Sequence, residues 1–372
     1  MKINQAKALI KSTLRRAVEK NIHIAVEFES GPGMGKSAIN SQAACESSVL
    51  LKCAVAYIPF FLSTVEPPDV RGYGIPVVIE GEQRMVYTKA PWMPGGGLGY
   101  IAENGVLRRA TAIDKIPPCG IVCLDEFRQA GLDTQKPAAE LLLNRKVGES
   151  HLPNGYIVTA CSNRESDRSG VQRELMFVTN RRMLIRIEPN LDAWADWAEK
   201  EDIHPLAIAF AKHKPHVVFA DTVPEKSGPF CTPRSLVMAS HLIGEMDMED
   251  YVECAGGLIG MGAAAEFVAF LRVAEQLPSY EEIIKDPKGT PIPTRPDACY
   301  AAMQMVAHRV DVKTAFIAFT YLSRMQKEFQ VAGLRAAFNR VPQLVMSQDF
   351  AGWLRDNKSL VMAANLIGKK GA

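Results

Sequence analysis

Paired cysteines are missing from this chain. Its eight cysteines, at 45, 53, 119, 123, 161, 231, 254 and 299, form no CxxC and mostly sit among apolar neighbours. That spacing argues against a zinc ribbon or a disulfide scaffold, and buried thiols in a reducing compartment are expected. Charge of one sign is equally scarce. Lys plus Arg number 43 against 41 Asp plus Glu, a formal +2, so no global basic excess advertises nucleic acid, though a local patch stays open. Long hydrophobic runs are absent too. The most apolar stretch, Cys254 to Ala265, is short, glycine-rich and stopped by Glu266, too little to span a bilayer. The opening MKINQAKALIKSTLRR is amphipathic and lacks a long apolar core before a cleavage site, so no signal peptide is expected and the location is read as cytoplasmic. The seven histidines, at 23, 151, 204, 213, 216, 241 and 308, share no metal-ligand spacing, and His213-Lys214-Pro215-His216 reads as surface. No Ser-His-Asp or Cys-His set can be assembled, and no repeat or low-complexity tract is seen.

What is there has two textures that meet near residue 190. Before it, short apolar runs alternate with helical stretches: Ile22 to Phe28, Ala54 to Phe60, Ile121 to Leu124, Ile157 to Cys161 and Met183 to Ile187. Strands of that length separated by helices predict an α/β unit with a largely parallel sheet. Beyond residue 190 the apolar residues recur three and four apart. The spacing predicts helices over Leu191 to Glu201, Leu206 to Lys212, Ser235 to Ile243, Met248 to Leu271, Ala298 to Val310 and Val312 to Glu328. The Pro-rich segment Lys285 to Pro296 reads as a linker. Within the first part, Ile75 to Met93 predicts a β-hairpin turning at Glu80-Gly81-Glu82, and Lys146 to Val158 a second one turning at Pro153-Asn154-Gly155. Trp194 and Trp197 are expected to pack between helices. Arg15-Arg16, Arg108-Arg109 and Lys369-Lys370 are expected to be solvated, and Gly256 to Ala265 to allow close helix packing.

The chemistry concentrates in two places. The first predicted strand runs into Glu29-Ser30-Gly31-Pro32-Gly33-Met34-Gly35-Lys36-Ser37, with a helix following. This is the context of a phosphate-binding loop. Glycines let successive backbone N–H groups face an anion, and the new helix adds the positive end of its dipole. Lys36 would reach the β- and γ-phosphates and Ser37 would ligand Mg²⁺, while Ser30 stands where the strict GxxxxGK[ST] string has its first glycine. A Gly-rich turn capping a helix is the plainer alternative. The second place is Ile121-Val122-Cys123-Leu124-Asp125-Glu126, a buried strand ending in two carboxylates at the edge where ligand sites of parallel sheets lie. Asp125 would hold Mg²⁺ through water, and Glu126 would orient and deprotonate an attacking water. Together the two segments read as a site for ATP and Mg²⁺, with hydrolysis favoured over transfer to a small alcohol.

These residues resemble the AAA+ ATPases, and within them the MoxR-like group, from about Ala6 to Arg272 and weakly beyond. Besides the two nucleotide motifs, four blocks carry the likeness: PPDVRGYGIP at 67–76, APWMP at 90–94, LLLNRKVGESHLPNGYIVTACSNRESDRSGV at 141–171 and TPRS at 232–235. The resemblance implies an αβα P-loop nucleotide-binding core over 1–190 with a hairpin insertion near 75–93. A helical lid would follow over 191–290, and a C-terminal helical extension over 291–372. It implies Asn163 as sensor 1, Arg234 as sensor 2 and Arg181 as the arginine finger that reaches a neighbouring subunit. Arg182 is the alternative finger, because the family has an apolar residue after its arginine and here Arg182 follows Arg181. Asp69 and Gly72 match the start of the insertion without a chemical role beyond the turn. The likeness further implies a homo-oligomer, expected to be a hexamer, that remodels or activates a protein client, with a von Willebrand A domain protein as the expected kind and no membrane partner. Two rivals stand beside it. A DNA-associated motor or loader would show hydrolysis stimulated by nucleic acid and steeply dependent on salt. A nucleotide-dependent scaffold would bind and assemble with little turnover, although Asp125-Glu126 argues against it. A small-molecule P-loop kinase would have no use for Asn163, Arg181 and Arg234 at these stations.

Overall fold

The structure is a computed structural model and describes residues 1–95, 99–111, 113–167, 170–171, 176–225 and 227–366. Lys369-Lys370 lie outside these residues, as do 168–169 within the 141–171 block. The chain divides into two compact units, Met1–Pro189 and Asn190–Ala372.

The first unit follows the order α1 (Ile3–Lys20), β1 (Val26–Glu29), α2 (Lys36–Leu51), β2 (Val55–Phe61), α3 (Pro67–Arg71), β3 (Gly74–Ile79) and β4 (Glu82–Tyr87). It continues with β5 (Tyr100–Glu103), β6 (Val106–Arg109), β7 (Cys119–Asp125), α4 (Leu132–Asn144), β8 (Lys146–Val147), β9 (Ser150–His151), β10 (Tyr156–Ser162), α5 (Met176–Thr179) and β11 (Met183–Arg186). Seven strands make the central sheet, in the order β11-β1-β10-β7-β2-β5-β6. The five from β11 to β2 are parallel, and β5 and β6 add an antiparallel edge.

The pleat explains why these strands read as apolar runs. Along β7 and β10, Ile121, Cys123, Ile157 and Cys161 face one core, with Ile10 and Leu14 of α1 and Ile39 and Ala43 of α2. The alternate residues Val122, Leu124, Val158 and Ala160 face the other, with Ala138, Leu141 and Leu142 of α4 and the fully buried Trp92. Strands covered on both faces lose the polar half of the alternation. The arrangement is an α/β/α sandwich.

All five predicted strands of this unit are present, with one shifted start: β1 begins at Val26, not Ile22. The hairpin over 75–93 is present as β3–β4 around Glu80-Gly81, both at positive φ, which matches the right-handed twist of a two-residue turn. Its second arm ends at Tyr87, and Trp92 leaves it for the core, donating from Nε1 to Val70 O at 2.7 Å. The second expected hairpin is corrected. It is the two-residue ladder β8–β9, closed at Gly148-Glu149, whereas Pro153-Asn154-Gly155 leads into β10 of the central sheet. Tyr156 to Val158 are pulled into that sheet because their parallel partners on β7 are buried and apolar.

The second unit is helical among its described residues and holds two cores. One gathers Phe210, Tyr251, Phe267 and Leu271 with Trp194 and Trp197 against it, and the other gathers Phe319, Phe350, Leu334 and Met303. Two expected helices are corrected. Met248 to Leu271 is two helices, Met248–Ile259 and Met261–Ala274, because Gly260 adopts φ 80° and breaks the ladder. Val312 to Glu328 likewise divides into Ala315–Leu322 and the start of Lys327–Arg340. A Cβ on Gly260 would lie 2.7 Å from the Pro229 carbonyl oxygen. Gly260→Ala is therefore expected to lower stability by about 1–3 kcal/mol, read as a shift in the urea midpoint at unchanged slope.

None of the eight cysteines is in a disulfide; Cys119, Cys123, Cys161, Cys231 and Cys299 are buried as expected, whereas Cys45 and Cys53 are half-buried and Cys254 is exposed. Arg108 is not merely solvated, since it holds Asp114 in a two-pronged pair at 2.9 and 2.8 Å. Among the described residues no helix is long and apolar enough to cross a membrane.

Candidate active site

Three parallel strands, β1, β7 and β10, end at the same edge of the first unit. From β1 the chain crosses past β10 and β7 to reach β2, and from β10 it crosses the other way to β11. Connections that diverge in this manner leave a crevice at the carboxyl ends of the strands. The glycine-rich loop lies there. Gly33 and Gly35 take φ of 70° and 87°, which turns the chain into α2. No side chain caps that helix, so the first-turn N–H groups keep their donors for an anion.

An ammonium, a hydroxyl, a carboxylate and an amide converge on this loop. Lys36 Nζ donates to the carbonyls of Ser30 and Gly31 at 2.9 and 2.8 Å and to Asn163 Oδ1 at 2.7 Å. Asn163 directly follows β10, so the bond closes the crevice across two strands. Ser37 Oγ donates to Asp125 Oδ2 at 2.5 Å, joining the first turn of α2 to the end of β7. Lys36, Ser37, Asp125 and Asn163 are thus brought together by direct bonds. Beneath them Asn40 is fully buried, donating to Lys36 O at 3.1 Å and accepting from Thr159 Oγ1 at 2.8 Å. Burial, with the nearby Cys123, Cys161 and Asp125, pushes the Tyr57 hydroxyl far above its ordinary range, and a hydrogen bond to Cys123 followed by burial pushes the Cys161 thiol up. Both stay neutral as walls of the site.

Glu126 is set apart from these contacts. It sits in a left-handed conformation, φ 56° and ψ 37°, which a side-chain-bearing residue adopts only when its surroundings hold it there. Its Oε2 accepts from Ser63 Oγ, on the short turn after β2.

Arg181 and Arg182 have separate fates. Arg181 is exposed in the turn between α5 and β11, with Nη2 donating to Asn144 Oδ1 at 3.1 Å. The Arg182 side chain is 1% exposed and its Nε donates to Glu27 Oε2. Arg234 belongs to the second unit. It is exposed in the first turn of helix Pro233–Ser240, capped by Thr232 Oγ1 accepting from Ser235 N at 3.1 Å.

Three contributors went unread in the sequence. Ser63 carries no local signal, being a serine after a strand. Arg164 pairs with Asp167 at 2.9 Å and lies within 3.1 Å of where a Gly31 Cβ would be, so it overhangs the loop. Glu27 and Glu29 with Arg128 form a buried ion-pair cluster, for which the signal was two carboxylates alternating with Val26 and Phe28 in a strand that should be buried on both faces.

Among the described residues no three His, Cys, Asp or Glu are placed to hold a metal by themselves. The Ser37–Asp125 pair nevertheless suits Mg²⁺, which takes one or two protein oxygens and completes its shell with water and phosphate.

No protein-family model and no curated protein sequence matches the chain. Among solved structures it is similar to NtrX from Brucella abortus, at 13% identity and a TM-score of 0.35, covering 95% of this chain and 67% of that one. It is also similar to NtrX from the same organism in complex with ADP, at 13% identity and a TM-score of 0.34, with 95% and 68% covered.

Proposed function

We propose that this protein is a MoxR-like AAA+ ATPase that hydrolyses ATP with Mg²⁺ at sites completed between subunits of a ring, a hexamer, and uses the cycle to remodel a protein client. The observation that carries the reading is the pair of bonds across the crevice, Lys36 to Asn163 and Ser37 to Asp125, beneath a glycine loop that opens an uncapped helix.

In this reading the backbone donors of residues 33–37 cradle the β-phosphate, and Lys36 turns from its two carbonyl partners toward the β- and γ-oxygens. Ser37 and Asp125 hold Mg²⁺, which when bound offsets the charge of the phosphates. Glu126 orients the attacking water and takes its proton. Asn163 holds that water or the γ-phosphate by its amide. Arg181 of one subunit enters the site of the next, and Arg234 reports phosphate state to the helical unit. The β3–β4 hairpin, solvated on both faces, presents Val78 and Met85 to a client with a von Willebrand A domain.

Hydrolysis per subunit, measured with Mg²⁺ across a wide range of protein concentration, tests the reading. The expected rate climbs with concentration, reaches a plateau, and falls to background on chelation of Mg²⁺. A rate that stays flat while sizing shows monomers at the lowest concentration would sink the shared site. Nucleic acid that stimulates hydrolysis with a steep salt dependence would favour a DNA motor instead.

A further inference from the structure

Two carboxylates and three guanidiniums form one chain of charges beside the site: Arg182, Glu27, Arg128, Glu29, Arg186. Arg128 donates from Nε to Glu27 Oε1 at 2.7 Å and from Nη2 to Glu29 Oε1 at 2.6 Å. Arg182 Nε donates to the other oxygen of Glu27, and Arg186 Nε to the other oxygen of Glu29 at 2.8 Å. The side chains of Glu27, Glu29, Arg128 and Arg182 are exposed by 0, 6, 8 and 1%.

Such a cluster is a poor way to stabilise a core. Desolvating charges consumes most of what their attraction returns, and apolar residues of similar volume serve as well or better. The neighbouring strands follow that rule on the same face, with Val122 and Leu124 on β7 and Val158 and Ala160 on β10. What the charges add is direction, because each bond fixes a planar guanidinium against a particular oxygen.

The anchor points of the chain are the moving parts of the proposed reaction. Arg128 lies two residues after Glu126 in the same turn, and its backbone N–H donates to Ser162 Oγ at 3.3 Å, next to Asn163. Glu29 is the last residue of β1 before the loop. Arg182 follows Arg181 directly. Both oxygens of each carboxylate are engaged, so a shift of the Glu126 turn pulls on β1 and through Glu27 on the Arg181 turn.

We propose that Arg128 is a positioning residue that ties the turn of Glu126 and the turn of Arg181 to the same strand, so that the carboxylate a subunit uses itself and the guanidinium it lends to its neighbour are set together. This inference rests on the shared site proposed above.

Subunit mixing tests it. Full-length Glu126→Gln and Arg181→Ala proteins form the reference mixture, in which the intact carboxylate of one meets the intact arginine of the other and hydrolysis returns. Arg128→Met is then mixed with each in turn, with activity normalised to co-assembled subunits. At a temperature where melting shows Arg128→Met to be folded, the expected result is at least a tenfold shortfall from the reference in both mixtures, with its ADP binding unchanged. Recovery to the reference level with Arg181→Ala would show its arginine is correctly placed, and recovery with Glu126→Gln would show its carboxylate is; either overturns the proposal. A reference mixture that stays inactive while Arg128→Met alone is impaired would overturn the shared site itself, and the coupling with it. Where Arg128→Met does not fold, Glu27→Gln, which keeps the shape and one acceptor oxygen, takes its place in the same mixtures with the same expected shortfall.

Discussion

Glu126→Gln is expected to bind ATP within a few-fold of the parent protein and to hydrolyse it about 10²–10⁴ times more slowly, the range lost with a general base. The separation of binding from turnover follows from the contacts. The loop is held by Lys36, Asn163, Ser37 and Asp125, none of which bonds to the Glu126 side chain. Glutamine keeps an acceptor for Ser63 Oγ and fits the same left-handed turn, so the local structure has no reason to change. What disappears is basicity. Lys36→Ala should behave in the opposite way and lose binding first, because in the proposed site its ammonium is the charge that turns toward the phosphates. Equilibrium binding of a labelled nucleotide and single-turnover hydrolysis separate the two variants. Turnover by Glu126→Gln within a factor of three of the parent would remove Glu126 from its role.

Much of this site was legible because its parts are local. A loop written in seven consecutive residues, Gly31 to Ser37, needs only a strand before it and a helix after it, and both are signalled by neighbours in sequence. Asp125 was legible for the same reason, as the last residue of a buried run. The strands β2, β7 and β10 announced themselves because both faces are covered and no polar alternation intervenes. The β5–β6 hairpin escaped because it sits at an edge with short arms, the second of them largely exposed and charged, although Asn104-Gly105 at φ 51° and 83° is a strong turn signal. The break at Gly260 packs against the Pro229 carbonyl, some thirty residues away in sequence, and no periodicity encodes that contact. The charge chain was hidden differently. Glu27 reads as an interruption in an apolar strand until Arg128 and Arg182, 101 and 155 residues further along the chain, are seen to meet it.

The two adjacent arginines should fail in different ways, and that difference is the strongest test of the shared site. Arg181→Ala is expected to fold normally, since its guanidinium is exposed and its one described side-chain bond is to Asn144 at the end of α4. Its hydrolysis should nevertheless fall about 10³–10⁵-fold at saturating protein, the loss seen when an arginine supplied in trans is removed. Arg182→Ala withdraws one of the two partners of a fully buried carboxylate, Glu27, and removing one side of a buried pair costs about 3–5 kcal/mol. It should therefore melt early, and lose nucleotide binding together with turnover only as it unfolds. Thermal melting, nucleotide affinity and hydrolysis measured on both proteins separate the roles. If Arg181→Ala keeps full activity while Arg182→Ala folds normally and loses turnover alone, the lent guanidinium is Arg182, and its bond to Glu27 must break when a neighbour arrives. If both keep full activity, no arginine of this turn completes a neighbouring site, and the ring must be argued from elsewhere or abandoned.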